Sequence, residues 1–236
     1  MTFEKDSLGS RMKDHESRFQ TYLPRRNWTI CRLDGRNFHS YLRECQQPYD
    51  TRFMNDIDAT AMFLCKEIMG SVFSFQFSDE ISLLITDFSS IKTESFFNGN
   101  VQKMVSVSAS MATAHLNSLR FGSVSHELAT FDSRVFQISD PVEIANYMVW
   151  RETEAERNSL GSLARSYYSH NELHSKNGSE LHDLIHAKND NWNNYPARHK
   201  RGGMTIYKDE KWQTIEAPIF KQQPEFLKNL IPTHGY

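Results

Sequence analysis

Residues 72–86 read VFSFQFSDEISLLIT, and this stretch decides the fold. Phe73, Phe75 and Phe77 alternate with Val72, Ser74 and Gln76. Period-two alternation predicts a strand with one buried face, so the phenylalanines belong to the core rather than to a base-stacking platform. Ser78-Asp79-Glu80 interrupts the pattern and Ile81 to Thr86 resumes a strand-like run, which together predict a hairpin with acids at its tip.

Upstream, residues 51–69 place Phe53, Met54, Ile57, Ala61, Leu64, Cys65 and Ile68 at helical spacing, and Gly70 reads as the stop. Asp56 and Asp58 on this helix are expected to face solvent. Trp28 to Leu33 reads as a short strand ended by Asp34-Gly35, and residues 1–27 as a helical or irregular lead-in. Downstream, Ser95 to Leu119 predicts a long helix with Val101, Met104, Val105, Ser108, Ala112, His115, Leu116 and Leu119 on one face. Its small residues let it lie close to a sheet. Phe131 to Ile138 reads as another strand. Asp140, an N-cap, and Pro141, at the first helical position, open a helix through Trp150.

The order is strand, helix, hairpin, helix, strand, helix. This split βαβ pattern predicts an α+β fold: a ferredoxin-like or polymerase-palm antiparallel sheet packed by helices. Residues 1–150 make up the palm-like domain. Residues 151–236, more polar, predict a mainly helical C-terminal extension packed on it as one compact unit. The extension closes with short β segments at Gly203 to Tyr207 and Trp212 to Ile215.

The chain has 236 residues, 39% of them hydrophobic and 24% charged, enough for a sizeable core. No apolar run approaches bilayer length, so no membrane partner is expected. Met1 to Arg18 is polar with no apolar core, which argues against secretion and for a cytoplasmic setting. Three scattered cysteines, Cys31, Cys45 and Cys65, argue against a disulfide framework and a CxxC zinc site. A formal net charge of −2 means that any nucleic-acid site must come from local patches.

The chemistry lies in two acidic tips. Asp34 ends one strand, and Asp79 sits on the hairpin turn beside Glu80. Two such carboxylates can bridge a pair of Mg²⁺ ions about 3.5–4 Å apart, the arrangement used for phosphoryl or nucleotidyl transfer. The Gly35 carbonyl could add an oxygen, and backbone N–H groups from Gly35 to His39 could cradle a triphosphate. The competing reading is ordinary: Asp-Gly after a strand, and Ser-Asp-Glu between strands, are common turns. His170/His174 and His182/His186 form i,i+4 pairs, but the first has its Glu misplaced for HExxH, and surface or RNA-facing histidines fit better than zinc. Arg198-His199-Lys200-Arg201 is a compact basic run near Trp192 and Tyr195, either an RNA phosphate contact through Arg198, Lys200 and Arg201 or a solvated loop. There is no P-loop, nucleophile elbow or Cys/His catalytic pairing.

Four blocks carry a resemblance: Arg32-Leu33-Asp34-Gly35-Arg36-Asn37-Phe38-His39, Ser78-Asp79-Glu80, Phe131-Asp132-Ser133-Arg134-Val135 and Trp150-Arg151. In this order they resemble the signature blocks of the tRNA(His) guanylyltransferase superfamily, over about residues 10–215. The resemblance implies a palm-like enzyme that adds nucleotides to the 5′ end of RNA. The 3′-hydroxyl of GTP or another NTP attacks a 5′ end that is triphosphorylated or activated with ATP. It implies two Mg²⁺ on Asp34, Asp79 and the Gly35 carbonyl, with Glu80 as a neighbouring catalytic acid. Arg36, Asn37, Phe38, His39 and Ser78 match the nucleotide-contacting stretch. Lys103 matches a basic position facing triphosphate, and Arg134 one facing the RNA end. It further implies tRNA as partner and a homotetramer built as a dimer of dimers.

Two departures refine it. Strict tRNA(His) guanylyltransferases carry His-x-Asn-Asn-Leu-Tyr-Asn soon after the Trp-Arg pair, whereas this chain has Glu156-Arg157-Asn158-Ser159-Leu160-Gly161-Ser162. That resembles the guanylyltransferase-like branch, which implies template-dependent repair of truncated tRNA 5′ ends. Gln47 stands before Pro48 where many relatives have lysine. Rival readings are a strict tRNA(His) enzyme, a palm-fold nucleotide cyclase and a non-catalytic RNA-binding module.

Overall fold

The computed structural model describes residues 7–121 and 128–234, so the first six residues of the lead-in lie outside the described residues. The hairpin forms as its alternation predicts. β2 (Ser71–Phe77) and β3 (Glu80–Ile85) pair antiparallel with Phe77 opposite Glu80, and Ser78 turns the tip in the left-handed region at φ 50°. β1 (Trp28–Gly35) lies against β3, and β4 (Phe131–Ile138) against the other edge of β1. β5 (Gly203–Lys208) and β6 (Lys211–Glu216) prolong the sheet from β2. The order is β4-β1-β3-β2-β5-β6, antiparallel throughout. The first four strands follow the ferredoxin-like path.

Helices cover both faces. α1 (Leu8–Ser17) precedes the sheet and buries no residue. α2 (Phe38–Tyr41) follows β1 directly, then come α3 (Thr51–Glu67) and α4 (Val101–Leu119). α5 (Pro141–Arg165) is followed by α6 (His170–Leu173), α7 (Gly178–His186), α8 (Ala197–Arg201) and α9 (Pro224–Leu230). Among the described residues no helix is long and apolar enough to cross a membrane.

Strand alternation sorts side chains between two cores. Cys31 and Leu33 of β1 pack with Ile57, Leu64, Met104 and Leu116 under α3 and α4. Trp28 and Ile30 pack with Phe73, Phe75, Met148 and Phe220 under α5 and the C-terminal segment. Phe73 and Phe75 are therefore core, each contributing roughly 1.5–3 kcal/mol by burial. Beyond Ile30 that second face turns from apolar to charged. Arg32 and Asp34 lie in register with Arg134 and Asp132 on β4 and with Ser82 and Glu80 on β3. The site is the charged end of an otherwise apolar face.

Several expectations change. The long helix starts at Val101, not Ser95, because Phe97 and Asn98 adopt left-handed conformations and Asn100 then caps by accepting from the Lys103 N–H. Its buried positions are Met104, Ser108, Ala112 and Leu116, spaced i,i+4, whereas Leu119 is exposed. The small residues do bring it close, since the Ser108 hydroxyl donates to Ser133 on β4 at 2.8 Å. The helix expected to end at Trp150 runs on to Arg165, because strong helix formers follow and no proline intervenes. Asp56 and Asp58 do not face solvent: Asp56 accepts from Arg120 at 2.8 Å, and Asp58 from Arg198 at 2.8 and 3.0 Å and from Gln76 at 3.0 Å. Gly70 does end α3, at φ +84° and so close to Thr86 that an added Cβ would lie 2.2 Å from its carbonyl oxygen.

Candidate active site

Asp34 and the hairpin tip meet because the end of β1 is stitched to the turn: the Gly35 N–H donates to the Asp79 carbonyl at 3.1 Å. Only glycine fits there. A Cβ on residue 35 would lie 2.4 and 2.6 Å from ring carbons of Phe38 and 2.7 Å from the Asp79 Cβ. The Phe38 ring is itself fixed among Tyr41, Phe53 and Phe131. Core packing thus holds the Asp34-Gly35 turn against Asp79.

The three carboxylates stand in different electrostatic positions. Glu80 is saturated: Arg151 donates to both of its oxygens at 2.6 Å, and Arg32 reaches Oε2 at 2.6 Å. The sequence reading placed Glu80 among the catalytic acids. In this structure both of its oxygens are held by guanidinium groups, which also fixes Arg32 and Arg151 beside it. Asp34 is compensated loosely, by Arg32 at 3.3 Å and Arg134 at 3.5 Å. Asp79 has no ion pair among the described residues. Burial pushes its carboxyl up to about 6, helped by the negative charges of Asp34 and Glu80 and opposed by hydrogen bonds that include one from Ser78. Arg32 Nε is buried without a hydrogen-bond partner among the described residues, a donor left over for an anion.

A cavity of about 750 Å³ opens from these acids. Residues 38–54 form one wall and the second half of α5 the other. Of the predicted nucleotide-contacting residues, Asp34, Phe38, His39, Ser78 and Asp79 line it, as does Glu80. Gly35, Arg36 and Asn37 carry the turn between Asp34 and Phe38. Asn37 takes the left-handed region at φ 58°, and the exposed Arg36 donates its N–H to Thr130.

Lys103 is not brought to the site. It stands exposed in the first turn of α4, whereas the other end of that helix, roughly 25 Å away, leads into Arg120, which bonds Tyr41 behind the cavity wall. Arg134 is beside Asp34. The basic run on α8 turns inward instead: Arg198 is locked to Asp58, and Lys200 donates to the Asn193 carbonyl at 2.7 Å and covers the Trp192 ring. Arg201 Nε is buried without a partner among the described residues. The rings of His170 and His174 are 6.4 Å apart, and His182 packs edge-on against Trp192. Among the described residues no three His, Cys, Asp or Glu side chains form a metal-holding group.

Sequence reasoning missed Arg32 and Arg151 as site residues, and Tyr49, Asn158, Ser159, Ser162 and Arg165 as cavity lining. A signal existed for Arg151. It falls on the helix flank next to Met148 and Ala155, where a buried guanidinium requires an acid.

A split-βαβ sheet with aspartates on a strand end and an adjoining hairpin, opening on a nucleotide-sized cavity, defines a palm-type nucleotidyltransferase. The family model described as tRNAHis guanylyltransferase matches residues 9–139, and the chain belongs to that family. A solved bacterial tRNA(His) guanylyltransferase-like protein in complex with ATP superposes with a TM-score of 0.90 at 38% identity, covering 95% of this chain and 99% of that one. A second such structure, in complex with GTP, gives a TM-score of 0.82 at 35% identity and the same coverage. A probable tRNA(His) guanylyltransferase of Dictyostelium discoideum is 26% identical over 226 residues, 88% of this chain and 84% of its own length.

Proposed function

We propose that this enzyme extends tRNA 5′ ends in the 3′-5′ direction by template-dependent addition, repairing truncated ends. The observation that carries the reading is the pairing of Asp34 and Asp79 at the inner end of a nucleotide-sized cavity. Similarity to guanylyltransferase-like proteins in complex with ATP and with GTP supports ATP as activator and GTP or another NTP as the added nucleotide. The cavity wall at Ser159 and Ser162 supports the template-dependent branch, because these two positions depart from the strict tRNA(His) motif, which keeps asparagine at both, and they line the cavity beside the retained Asn158.

The donor set fits Mg²⁺: hard oxygens from Asp34 and Asp79, with the Gly35 carbonyl as a further oxygen on a turn that packs against Asp79 too closely for any side chain at residue 35. When bound, Mg²⁺ supplies charge neutralisation and a lowered pKa for the attacking hydroxyl. The chain's own part is positioning. Glu80 holds Arg32 and Arg151 at the cavity's inner end, Arg32 keeps a spare donor for a phosphate oxygen, and His39 and Ser78 line the same cavity. The active form is a dimer of dimers, measurable by light scattering.

A 5′-extension assay on 5′-truncated tRNAs, with each NTP offered separately, tests the reading. Addition should follow pairing with the opposite strand, stop with chelator and return with Mg²⁺. Guanosine addition confined to tRNA(His) regardless of pairing would establish the strict enzyme instead. Cyclic nucleotide made without RNA would establish a cyclase.

A further inference from the structure

The acids at the end of β1 can be approached from two sides. The cavity occupies one. On the other stand β4 and the outer flank of α5, carrying Arg134 and Trp150, neither of which lines the cavity. Arg134 is 56% exposed with its guanidinium 3.5 Å from Asp34. Trp150 is 50% exposed, yet it is pinned to the acid cluster. The Arg151 guanidinium lies 4.4 Å from its ring centroid, and Tyr147 packs edge-on at 5.7 Å. Arg151 in turn holds Glu80, and the Tyr147 hydroxyl lies 3.4 Å from that of Ser82. An indole half in water, with its other half fixed to the site's own residues, presents a flat apolar surface at a set place beside the acids.

Two bound reactants need two seats flanking the reacting atoms. On the reading above, with a nucleoside triphosphate in the cavity, the RNA end comes from the β4 side. We propose that Trp150 is the stacking platform for the terminal nucleobase of the RNA 5′ end, with Arg134 beside it facing the terminal phosphate. Stacking suits this task because every base has a π-face, so the platform accepts ends of any sequence. A guanidinium between that phosphate and Asp34 keeps the two negative groups from repelling one another.

The test uses the full chain and a 5′-truncated tRNA carrying 2-aminopurine as its first nucleotide, whose fluorescence falls when the base stacks on an indole. Wild-type protein should quench it on binding. Trp150→Ala should not, and should raise KM for the RNA about tenfold while KM for GTP stays within roughly twofold. Trp150→Phe, which keeps a stacking ring, should restore most of the RNA affinity. Equal quenching by Trp150→Ala would overturn the proposal. So would parallel rises in both KM values, the mark of a purely structural role through Arg151. The inference rests on the proposed function, and the two fail differently. Wild-type protein that neither binds nor extends RNA defeats both, whereas active wild-type protein matched by Trp150→Ala defeats only the platform.

Discussion

α3 and the end of β1 both set carboxylates against arginines, but to opposite effect. On α3, Asp58 accepts two guanidinium hydrogen bonds and an amide bond, and Asp56 accepts one from Arg120 at 2.8 Å. Each acid has a close arginine partner, and the pairs staple α8 and the end of α4 to the same helix. At the end of β1, the arginines compensate Glu80 tightly, Asp34 at 3.3–3.5 Å, and Asp79 with no ion pair among the described residues. A fold selected for stability alone would satisfy all of them. Acids left under-compensated in a cavity mark where a ligand completes the charge balance.

The largest expected effect separates these two roles. Asp34→Ala or Asp79→Ala should cut nucleotide addition by at least about 10²-fold. The melting temperature should hold or rise, since like charges are removed. Extension assays and thermal melts on the same preparations check this, and activity retained in either pure variant would defeat the metal assignment. Asp58→Ala should do the reverse. It strands Arg198 in a largely buried place and should cost roughly 3–5 kcal/mol of stability, read by denaturant melts, with kcat per folded molecule little changed.

Gly35→Ala lies where the two roles meet. Its methyl would strike the fixed Phe38 ring and Asp79, so a loss of about 1–3 kcal/mol should accompany lost activity. If Gly35→Ala kept full activity, close approach of the turn to Asp79 would not matter for catalysis.

Glu152 is a third kind of carboxylate: 3% exposed and held by the Phe220 N–H, with no ion pair among the described residues. Burial first, and the charge of Glu156, push it up to about 7, against the Phe220 hydrogen bond and the positive charges of Arg201 and Lys221. Its folded-state pKa is raised, so the associated stability is fully present below its ordinary value near 4.5 and is lost as pH rises through about 7. Glu152→Gln cannot ionise. Its stability relative to wild type should grow across that window, by about 1–3 kcal/mol, and level off above it. Melts in a series of buffers read the difference, and a flat difference would exclude the burial effect.

Much of this was legible in the residues. The alternation at residues 72–86 specified the hairpin, and the order of elements around it specified the four-strand core, because period and turn chemistry are local properties. Asp34, Asp79 and Gly35 stood out through the blocks around them, Arg32 to His39 and Ser78 to Glu80, since an Asp-Gly or Ser-Asp-Glu turn taken alone is common. Lys103 shows the limit. Helical spacing tells which face a residue takes, not which end of the sheet its turn reaches, and the non-helical Phe97 and Asn98 shift where the helix begins. The α8 arginines show another. A basic run looks the same in sequence whether it meets RNA phosphate or a buried aspartate 140 residues away.

By itself, then, the sequence determined the elements, their order and the identity of the acids, since these follow from neighbours along the chain. Only the tertiary structure decided how each acid is compensated. Glu80 is closed by Arg32 and Arg151, Asp79 is left open, and Asp56 and Asp58 are turned to structural use. The physical reason is that charge compensation depends on distance and burial, and both are set by contacts between residues far apart in sequence.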